Sequence, residues 1–557
     1  MCGIAVLVGE GASRAALERM SRVAARRGPE LLRTLTVGNC LFAHAALRFV
    51  EVSDNEQPCV VDDCVLIWNG EIYNWRELDC QSRNDTQALL SGLRAHGSEF
   101  LTRLDAQFAF VALIDGQLCF GRDKWGICPL VFGHTPEGWL AIGSTSEVVE
   151  AAGVSEVKTV PAGTFCVVRA GEVVLRSWYH LPRTRARLAR ITPADVRRLA
   201  EQRVCSRIPD AARDLFTTMG GMDSQFVSAC VARHTRGAFG GAVTIVPAGG
   251  GGDYPYVQQT LRQLASEGIE VPHHLAALTP EIAHQNLDRL LQLLGPDLFQ
   301  VMCALGEDLV AAVVQRLGGR TIMTAGGPDE AGRSYDRWTF IHRGLDEELA
   351  WHRLAEQFPS SEGVRAGLVF GERGIENRVP LADLIELATE IDPEHKQRVF
   401  VEGDGVTLAS MRMDGKLFWR EALRGVLPDA CLAARKEPIH GSIGALPVVA
   451  ELARHDRAYQ QARAEFALHA FWLGWNGIIF ADLRTLDPRD EVPECQLYAL
   501  YRWSRLEPRR WKEGAQHRYG PFIDYIPRSA DDPLQRAHKP LCYDWQLGKD
   551  VPIRPVR

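Results

Sequence analysis

Met1-Cys2-Gly3-Ile4-Ala5-Val6-Leu7-Val8 opens the chain and places a cysteine directly before an apolar run. A small second residue permits removal of Met1, and Cys2 then carries both a thiol and an α-amino group with an ordinary pKa of about 7.7–8.0. Such an amine can accept the thiol proton near neutral pH, as a cysteine nucleophile in acyl transfer requires. The apolar residues 4–8 predict a buried strand that holds this terminus. Cys2 alone is also compatible with an accident of the start site, so the remaining sequence decides its role.

Length and composition exclude several classes of protein. The 557 residues suggest two to four domains, and 46% of them are hydrophobic. A net charge of −7 argues against a nucleic-acid-binding surface. No apolar run approaches the roughly 18–20 residues of a membrane span, and the N-terminus lacks the pattern of a secretory signal. The fourteen cysteines include no Cys-x-x-Cys pair, which favours reduced thiols in the cytoplasm over disulfides or a zinc site.

The first 180 residues are predicted to form two packed sheets with flanking helices. Amphipathic helices are predicted at 15–26 and at 85–95, the second capped by Asn84 or Asp85. Strands are predicted at 4–8, 34–37, 41–45, 65–68, 108–114, 117–122, 139–143 and 164–168.

The stretch Trp68-Asn69-Gly70-Glu71-Ile72-Tyr73-Asn74 has two interpretations. Asn-Gly after an apolar strand is a strong turn signal, so the pair can simply form a hairpin. Alternatively, the Asn69 amide and the Gly70 N–H can form an oxyanion hole for a thiol-generated tetrahedral intermediate.

Four stretches together resemble the class II, or N-terminal-nucleophile, glutamine amidotransferase domain. They are Cys2-Gly3-Ile4, Arg27-Gly28-Pro29, Asn69-Gly70-Glu71-Ile72-Tyr73-Asn74 and Gly121-Arg122-Asp123. The resemblance implies an α+β sandwich of αββα layers over residues 1–181. It also implies that Cys2 attacks the side-chain amide of glutamine, that Asn69 and Gly70 hold the oxyanion, and that Glu71 and Asp85 bind the α-amino group.

One position departs from this family. The arginine that clamps the glutamine carboxylate in the family corresponds to Ala46 here. Arg48 lies two residues further on, and in an extended strand a shift of two keeps the same face, so Arg48 can replace it. The resemblance also places Val50 at the glutamine site. Without a replacement, glutamine binding would lose a charge-assisted contact of about 1.5–3 kcal/mol.

Residues 182–192 are basic and Pro-containing, and we interpret them as a linker, with phosphate binding as a less favoured alternative. Thr192 and Pro193 then begin a helix as N-cap and first helical residue. From there strand and helix patterns alternate, which predicts an α/β domain with a parallel sheet over residues 193–507.

The stretch Leu215-Phe216-Thr217-Thr218-Met219-Gly220-Gly221-Met222-Asp223-Ser224 combines a strand, two glycines and a helix start, which is typical of a phosphate cradle. It resembles the Ser-Gly-Gly-x-Asp-Ser loop of ATP pyrophosphatases, with Met219 in place of the first serine. The resemblance implies that ATP and Mg²⁺ bind here and that Asp223 is a magnesium ligand. The expected ATP-binding residues are Thr217, Gly220, Gly221, Asp223, Ser224, Val243, Thr324 and Ala325.

A second buried strand, residues 321–325, leads into Gly326-Gly327-Pro328-Asp329. Because α/β sheets bind ligands at the carboxyl ends of their strands, Asp329 is the expected second magnesium ligand.

This second domain resembles the synthetase domain of glutamine-dependent asparagine synthetase. The resemblance rests on residues 376–383, 416–421 and Arg435-Lys436-Glu437. It implies that Lys436 stabilises charge on the pyrophosphate and in the transition state, and that the acceptor site includes Gly326, Glu376 and Arg378. Gly326 stands where asparagine synthetases have a glutamate, so we expect a carboxylic acid other than aspartate as acceptor.

The end of the chain is predicted to be helical over 445–507, followed by an extension at 508–557 that wraps the second domain or serves as an interaction arm. The whole pattern predicts a cytoplasmic, glutamine-hydrolysing and ATP-dependent amidotransferase that acts on a small-molecule or peptide carboxylic acid. A homodimer is a further expectation; nucleic acid and membrane partners are not expected. Two alternatives stay open: an amide-forming cyclase or ligase that uses a substrate amine and keeps the first domain as structure, and a non-catalytic scaffold.

Overall fold

The computed structural model of the chain describes residues 1–47, 57–79, 81–182, 191–247, 250–335, 347–401, 411–434, 439–472, 492–513, 541–544 and 549–552. The linker residues 183–190 lie outside these ranges, so the predicted domain boundaries stay predictions.

Two six-stranded antiparallel sheets form the first part of the chain. Their strand orders are β10-β8-β9-β1-β3-β2 and β12-β11-β7-β6-β5-β4. The strands are β1 Gly3–Val8, β2 Leu31–Val37, β3 Cys40–Ala46, β4 Cys59–Val61, β5 Cys64–Ile72, β6 Ala106–Ile114, β7 Gln117–Arg122, β8 Val131–His134, β9 Leu140–Gly143, β10 Lys158–Thr159, β11 Thr164–Arg169 and β12 Glu172–Ser177. The helices are α1 Arg14–Ala24, α2 Trp75–Leu78, α3 Asp85–His96 and α4 Ser146–Glu150.

The layers of this part follow from which face each strand buries. Alternate residues of β1 and β3, such as Val6 and Phe42, pack between the two sheets. The other face of the first sheet packs on α1 and α4, and the outer face of the second sheet packs on α3. The Asn84 side chain accepts a hydrogen bond from the Gln87 N–H and so begins α3, as predicted. The arrangement confirms the predicted αββα sandwich.

The second part is built on a parallel sheet of order β15-β14-β13-β16-β17. Its strands are β13 Leu215–Thr218, β14 Gly241–Pro247, β15 His273–Leu278, β16 Thr321–Met323 and β17 Glu376–Arg378. The hairpins β18 Gln397–Val401 with β19 Met411–Gly415, and β20 Leu541–Asp544 with β21 Lys549–Pro552, are antiparallel.

Helices surround this sheet and complete the α/β architecture that the alternating pattern predicted. They are α5 Pro193–Ser206, α6 Met222–Thr235, α7 Tyr254–Ser266, α8 Pro280–Leu294, α9 Leu298–Arg316, α10 Pro328–Ala331, α11 Glu347–Gln357, α12 Glu362–Glu372, α13 Leu384–Leu387, α14 Leu417–Ala422, α15 Asp429–Ala433, α16 Ile439–Ser442, α17 Ala445–His455, α18 Arg457–Trp472, α19 Val492–Leu506 and α20 Pro508–Glu513. Thr192 caps α5 through a reciprocal hydrogen-bond pair with Asp195.

Helix α9 is long and apolar enough to cross a membrane, but most of its apolar stretch is buried inside the protein. It also carries Glu307 and Asp308, which are ion-paired with Arg365 and Arg373. Buried faces and ion-paired charges are typical of a helix in the core of a protein.

The predicted C-terminal helical stretch corresponds to α17, α18 and α19. At the start of the extension, Trp511 stacks on Phe466 of α18 and Arg510 pairs with Glu150 of α4. This segment therefore contacts both parts of the chain.

Candidate active sites

Strand β1 holds the N-terminus in the middle of its sheet, between β3 and β9. The main-chain N–H of Cys2 donates to Asn69 Oδ1 at 2.7 Å, and Met1 is buried beside it. Burial raises the pKa of the Cys2 thiol and lowers that of the Met1 α-amine. When Met1 is removed, the nitrogen held by Asn69 becomes the α-amine of Cys2. Asn69 thus positions the group that would accept the thiol proton.

Asn69 and Gly70 lie inside β5, which continues to Ile72, and not in a hairpin turn. Gly70 has a φ of +151°, and a Cβ there would lie 2.1 Å from the main-chain oxygen of Gln107. This close approach of β6 requires glycine. The hairpin interpretation of the Asn-Gly pair is therefore wrong. The positive φ of Gly70, which a turn could also have used, here lets β5 and β6 approach each other closely.

Glu71 and Asp85 are brought together beside this strand. The Ile72 N–H donates to Asp85 Oδ2 at 3.4 Å, and Glu71 pairs with Arg378 at 3.3 Å. Desolvation by the surrounding protein raises the pKa of Glu71 to about 8, against the opposing charge of Arg378, and burial raises that of Asp85 to about 6. Two carboxylates held out of water favour a cationic ligand.

Three of the predicted site residues, Arg48, Val50 and Lys436, lie outside the described residues. Ala46, the position of the missing clamp, ends β3.

The loop between β13 and α6 has the form of an anion site. The Gly220 N–H donates to Ser224 Oγ at 2.8 Å, and Gln225 Nε2 donates to Gly220 O at 2.6 Å. A Cβ at Gly220 would make only ordinary contacts, with Asp253 Oδ2 at 3.4 Å and Ser224 Oγ at 3.9 Å, so no backbone atom closes over the loop at this point. A helix N-terminus behind such a loop attracts phosphate.

The side chains around this loop divide into two groups. Met219 packs with Ala242 and Val257 in the core, so the position of the missing serine is filled by an apolar contact. Thr217 is fully buried and its hydroxyl is 2.8 Å from Ser228 Oγ. Val243 is buried in the neighbouring strand. The predicted contacts of Thr217 and Val243 with ATP would therefore need their backbones.

Asp223 and Asp329 converge on one cation. Lys416 Nζ lies 2.5 Å from Asp223 Oδ2 and 2.9 Å from Asp329 Oδ1, and its side chain is 3% exposed. Trp419 Nε1 donates to the other Asp223 oxygen at 2.8 Å. Among the described residues no group of three or more His, Cys, Asp or Glu side chains forms a metal site. The two carboxylates around one positive charge are nevertheless the hard oxygen donors that Mg²⁺ prefers.

A carboxylate occupies the space beside Gly326. A Cβ at this position would lie 2.9 Å from Glu362 Oε1, at the start of α12. Glu330, close by, accepts a hydrogen bond from Tyr335 at 2.7 Å, and its pKa is raised to about 8 by burial and by the charges of Glu362 and Asp329. The side chain that Gly326 lacks is thus replaced by an acidic group from another element.

Strand β17 lies between the two parts of the chain. Arg378 donates to Glu376 Oε1 at 2.6 Å and to Arg207 O at 2.8 Å, and its guanidinium also pairs with Glu71. The structure therefore places Glu376 and Arg378 against the Cys2 site, while their role toward an acceptor stays a prediction.

Asn377, between them, is fully buried and contacts both parts. Its main-chain oxygen accepts from Gln107 Nε2 at 2.6 Å, and its Oδ1 accepts from Thr324 Oγ1 at 2.9 Å. The interpretation of the sequence missed Gln107, Asn377, Glu362 and Lys416 as site residues. Lys416 lies in the stretch 416–421, which contributes to the family resemblance, but the apolar helix pattern of this stretch does not indicate that the lysine is buried.

Comparison with known proteins finds a different family model in each of the two parts of the chain. Residues 1–179 match the family model of the glutamine amidotransferase domain, and residues 364–469 match that of asparagine synthase. A glutamine-hydrolyzing asparagine synthetase of Asparagus officinalis is 26% identical, over 71% of this chain and 70% of that protein. Asparagine synthetase B of Escherichia coli, also glutamine-hydrolyzing, is 25% identical over 80% of this chain and 83% of its own.

Among solved structures, glutamine phosphoribosylpyrophosphate amidotransferase from B. subtilis is 13% identical with a TM-score of 0.29, over 59% of this chain and 82% of that chain. The two family models match in the order of the two parts seen here, the amidotransferase model before the asparagine synthase model. In both of its parts the chain is similar to the glutamine-hydrolyzing asparagine synthetases, and at 25–26% identity it is a divergent relative of them.

Proposed function

We propose that this protein hydrolyses glutamine at Cys2 and transfers the ammonia to a carboxylate that is adenylated by ATP in the second part of the chain. The product is a carboxamide, and the acceptor is a small-molecule or peptide carboxylic acid other than plain aspartate. We further propose a cytoplasmic location and a homodimer.

The arrangement around Cys2 supports the first reaction. After loss of Met1, the α-amine beside Asn69 Oδ1 takes the thiol proton and Cys2 Sγ attacks the glutamine amide carbon. Asn69 Nδ2 and the Gly70 N–H would stabilise the oxyanion. As the tetrahedral intermediate collapses, the carbon–nitrogen bond breaks and ammonia leaves with the proton. Water then hydrolyses the thioester to glutamate.

The observation that carries the proposal is the position of Asn377. One residue accepts hydrogen bonds from Gln107, in the strand next to Asn69 and Gly70, and from Thr324, in the predicted ATP site. A single strand thus separates the two sites. Free ammonia is mostly protonated near neutral pH, and ammonium is no nucleophile. Transfer inside the protein past this strand would keep the nitrogen reactive.

The residues of the second site fit ATP and magnesium. The Gly220–Ser224 loop would bind the phosphates, and Asp223 and Asp329 would hold Mg²⁺, which neutralises triphosphate charge when bound. Lys416 holds the two carboxylates close together before a metal arrives. The proposed contribution of Lys436 is charge stabilisation on the departing pyrophosphate.

Glutamate release separates this proposal from its alternatives. The protein should release glutamate from glutamine, and Cys2→Ala should abolish this release. The same variant should still form AMP and pyrophosphate when ammonium chloride and a panel of carboxylic acids are supplied. Absence of glutamate release from the unmodified chain would contradict the proposal.

The second candidate is an amide-forming ligase or cyclase that uses a substrate amine. The Glu362 carboxylate beside Gly326 favours it, because a carboxylate near an activated acid can accept a proton from an amine nucleophile. This candidate predicts AMP formation with an amine-bearing acid, no stimulation by glutamine or ammonia, and no loss of activity in Cys2→Ala.

A further inference from the structure

Asn377 is fully buried in β17, and one of its polar groups has no partner. Its main-chain oxygen accepts from Gln107 Nε2 at 2.6 Å, and its Oδ1 accepts from Thr324 Oγ1 at 2.9 Å. Within the described part of the chain, the side-chain nitrogen Nδ2 makes no hydrogen bond. A buried N–H donor without an acceptor is costly and calls for an explanation. This position therefore suits a small ligand that accepts a hydrogen bond.

The unpartnered donor lies between the two proposed reaction centres. On one side, Gln107 lies against Gly70 of the oxyanion site, since a Cβ at Gly70 would be 2.1 Å from the main-chain oxygen of Gln107. On the other side, Thr324 directly follows β16 and stands two residues before Gly326 of the predicted acceptor site. Asn377 thus contacts a neighbour of each site, one through its backbone and the other through its side chain.

Neutral ammonia suits this donor, whereas the ammonium ion does not. The lone pair of ammonia accepts a hydrogen bond from an amide N–H. In ammonium every electron pair is bonded to hydrogen, so the ion can only donate and would place its hydrogens against those of Nδ2. Ammonium would also have to give up its hydration at a fully buried residue. The site therefore favours the form of the nitrogen that can act as a nucleophile.

We propose that Asn377 Nδ2 binds neutral ammonia on its way from Cys2 to the adenylated carboxylate. This role depends on the proposed function, because the ammonia comes from glutamine hydrolysis at Cys2. No covalent bond forms or breaks here: ammonia accepts one hydrogen bond from Nδ2 and leaves unchanged. The Thr324 hydroxyl fixes the orientation of the amide by donating to Oδ1, so that the nitrogen end stays available.

The experiment measures how much of the ammonia released from glutamine reaches the acceptor. The protein receives glutamine labelled with heavy nitrogen in its side-chain amide, ATP, MgCl₂ and an excess of unlabelled ammonium chloride. The acceptor is the acid of the carboxylic-acid panel that gives the fastest AMP formation. Mass spectrometry of the carboxamide then gives the ratio of labelled to unlabelled product, which reports transfer inside the protein.

Two variants of similar size to the native residue remove the donor in different ways. Asn377→Asp keeps Oδ1 for Thr324, and Asn377→Leu removes both polar atoms without adding a charge. Both should lower the ratio of labelled to unlabelled product about 2- to 10-fold, the factor expected for one hydrogen bond. Glutamate release, and AMP formation at saturating ammonium chloride, should change much less than this ratio.

Asn286→Asp is the matched control. Asn286 Nδ2 donates to Ile282 O within α8, away from both sites, so this variant should leave the ratio unchanged.

Three results would overturn the assignment. An unchanged ratio in both Asn377 variants would mean that the site holds only water. A fall in Asn377→Asp alone would point to the buried charge, and a fall in Asn377→Leu alone to the lost contact with Thr324. An unmodified chain that releases no glutamate, or whose product carries nitrogen from ammonium chloride only, would instead refute the proposed function, and the role of Asn377 would fall with it.

Discussion

Gln107 Nε2 donates a 2.6 Å hydrogen bond to the main-chain oxygen of Asn377 across the boundary between the two parts of the chain. Both residues are buried, so neither partner has water as a substitute. Removal of a partner from a buried hydrogen bond leaves the remaining group with its full desolvation penalty of about 1–3 kcal/mol.

We therefore expect Gln107→Leu to lower the free energy of unfolding by about 1–3 kcal/mol and to separate the unfolding of the two parts in calorimetry. The control is Gln117→Leu, because Gln117 makes the same kind of bond to Val168 O but is exposed. That variant should change stability by less than about 0.5 kcal/mol. Equal effects of the two substitutions would contradict a special role for the Gln107–Asn377 bond.

Lys416→Met should expose the repulsion between Asp223 and Asp329. Breaking a buried ion pair by removal of one partner costs about 3–5 kcal/mol, and here two carboxylates lose the same cation. Magnesium should recover a large part of this loss, since it can take the place of the ammonium group between the two acids. Thermal unfolding across a MgCl₂ titration measures the effect.

Lys124→Met is the matched control for this test. Lys124 also bridges two carboxylates, at 3.1 Å from Asp383 and 2.6 Å from Glu386, but at a site without a phosphate loop. Lys124→Met should be less stable than the unmodified chain, and magnesium should not restore its stability. Recovery of both variants, or of neither, would argue against Asp223 and Asp329 as metal ligands.

Much of the fold could be predicted because its determinants are local. Apolar patterns and turn signals predicted eight of the twelve strands β1 to β12, and neighbouring strands such as β6 and β7 pair directly through a short turn. The strands β4, β8, β10 and β12 were not predicted. Likewise, Asp223 and Asp329 could be grouped in advance, because both follow strands whose carboxyl ends meet at one edge of a parallel sheet.

The remaining site residues could not be predicted because their partners are remote. Lys416 is 193 residues from Asp223, and Gln107 is 270 residues from Asn377. A lysine at a helix start normally faces water, whereas Lys416 is buried on a left-handed backbone with a φ of +59° and pairs with two remote carboxylates. Glu362 reaches Gly326 only because α12 packs beside the loop after β16.

Glutamine affinity should fall as pH decreases, earlier than for ordinary carboxylates. Asp85 has a pKa of about 6 and Glu71 one of about 8, and each binds an ammonium group only when deprotonated. The affinity should therefore weaken as pH drops through about 8 and again through about 6. Calorimetric titration of Cys2→Ala with glutamine measures binding without turnover. Asp85→Asn should bind weakly and lose the step near pH 6; an unchanged step would assign it to another group.

Two adjacent glycines should respond differently to alanine. At Gly326 a Cβ would lie 2.9 Å from Glu362 Oε1, the far end of a flexible side chain that can move. At Gly327 the φ is +116° and a Cβ would lie 2.5 Å from the main-chain oxygen of Leu381, which cannot. We expect Gly326→Ala to cost about 1 kcal/mol or less in chemical denaturation, and Gly327→Ala about 3 kcal/mol or more.

Although Gly326→Ala should cost little stability, it should have a clear effect on activity. Gly326→Ala displaces the Glu362 carboxylate, so it should reduce AMP formation across the carboxylic-acid panel although the protein stays folded. Glu362→Gln removes the same charge without any backbone conflict and should reproduce that loss. If Glu362→Gln forms AMP as fast as the unmodified chain, the carboxylate beside Gly326 has no part in the reaction, and Gly326→Ala must act through packing against Phe358, whose ring carbon lies 3.1 Å from the added Cβ.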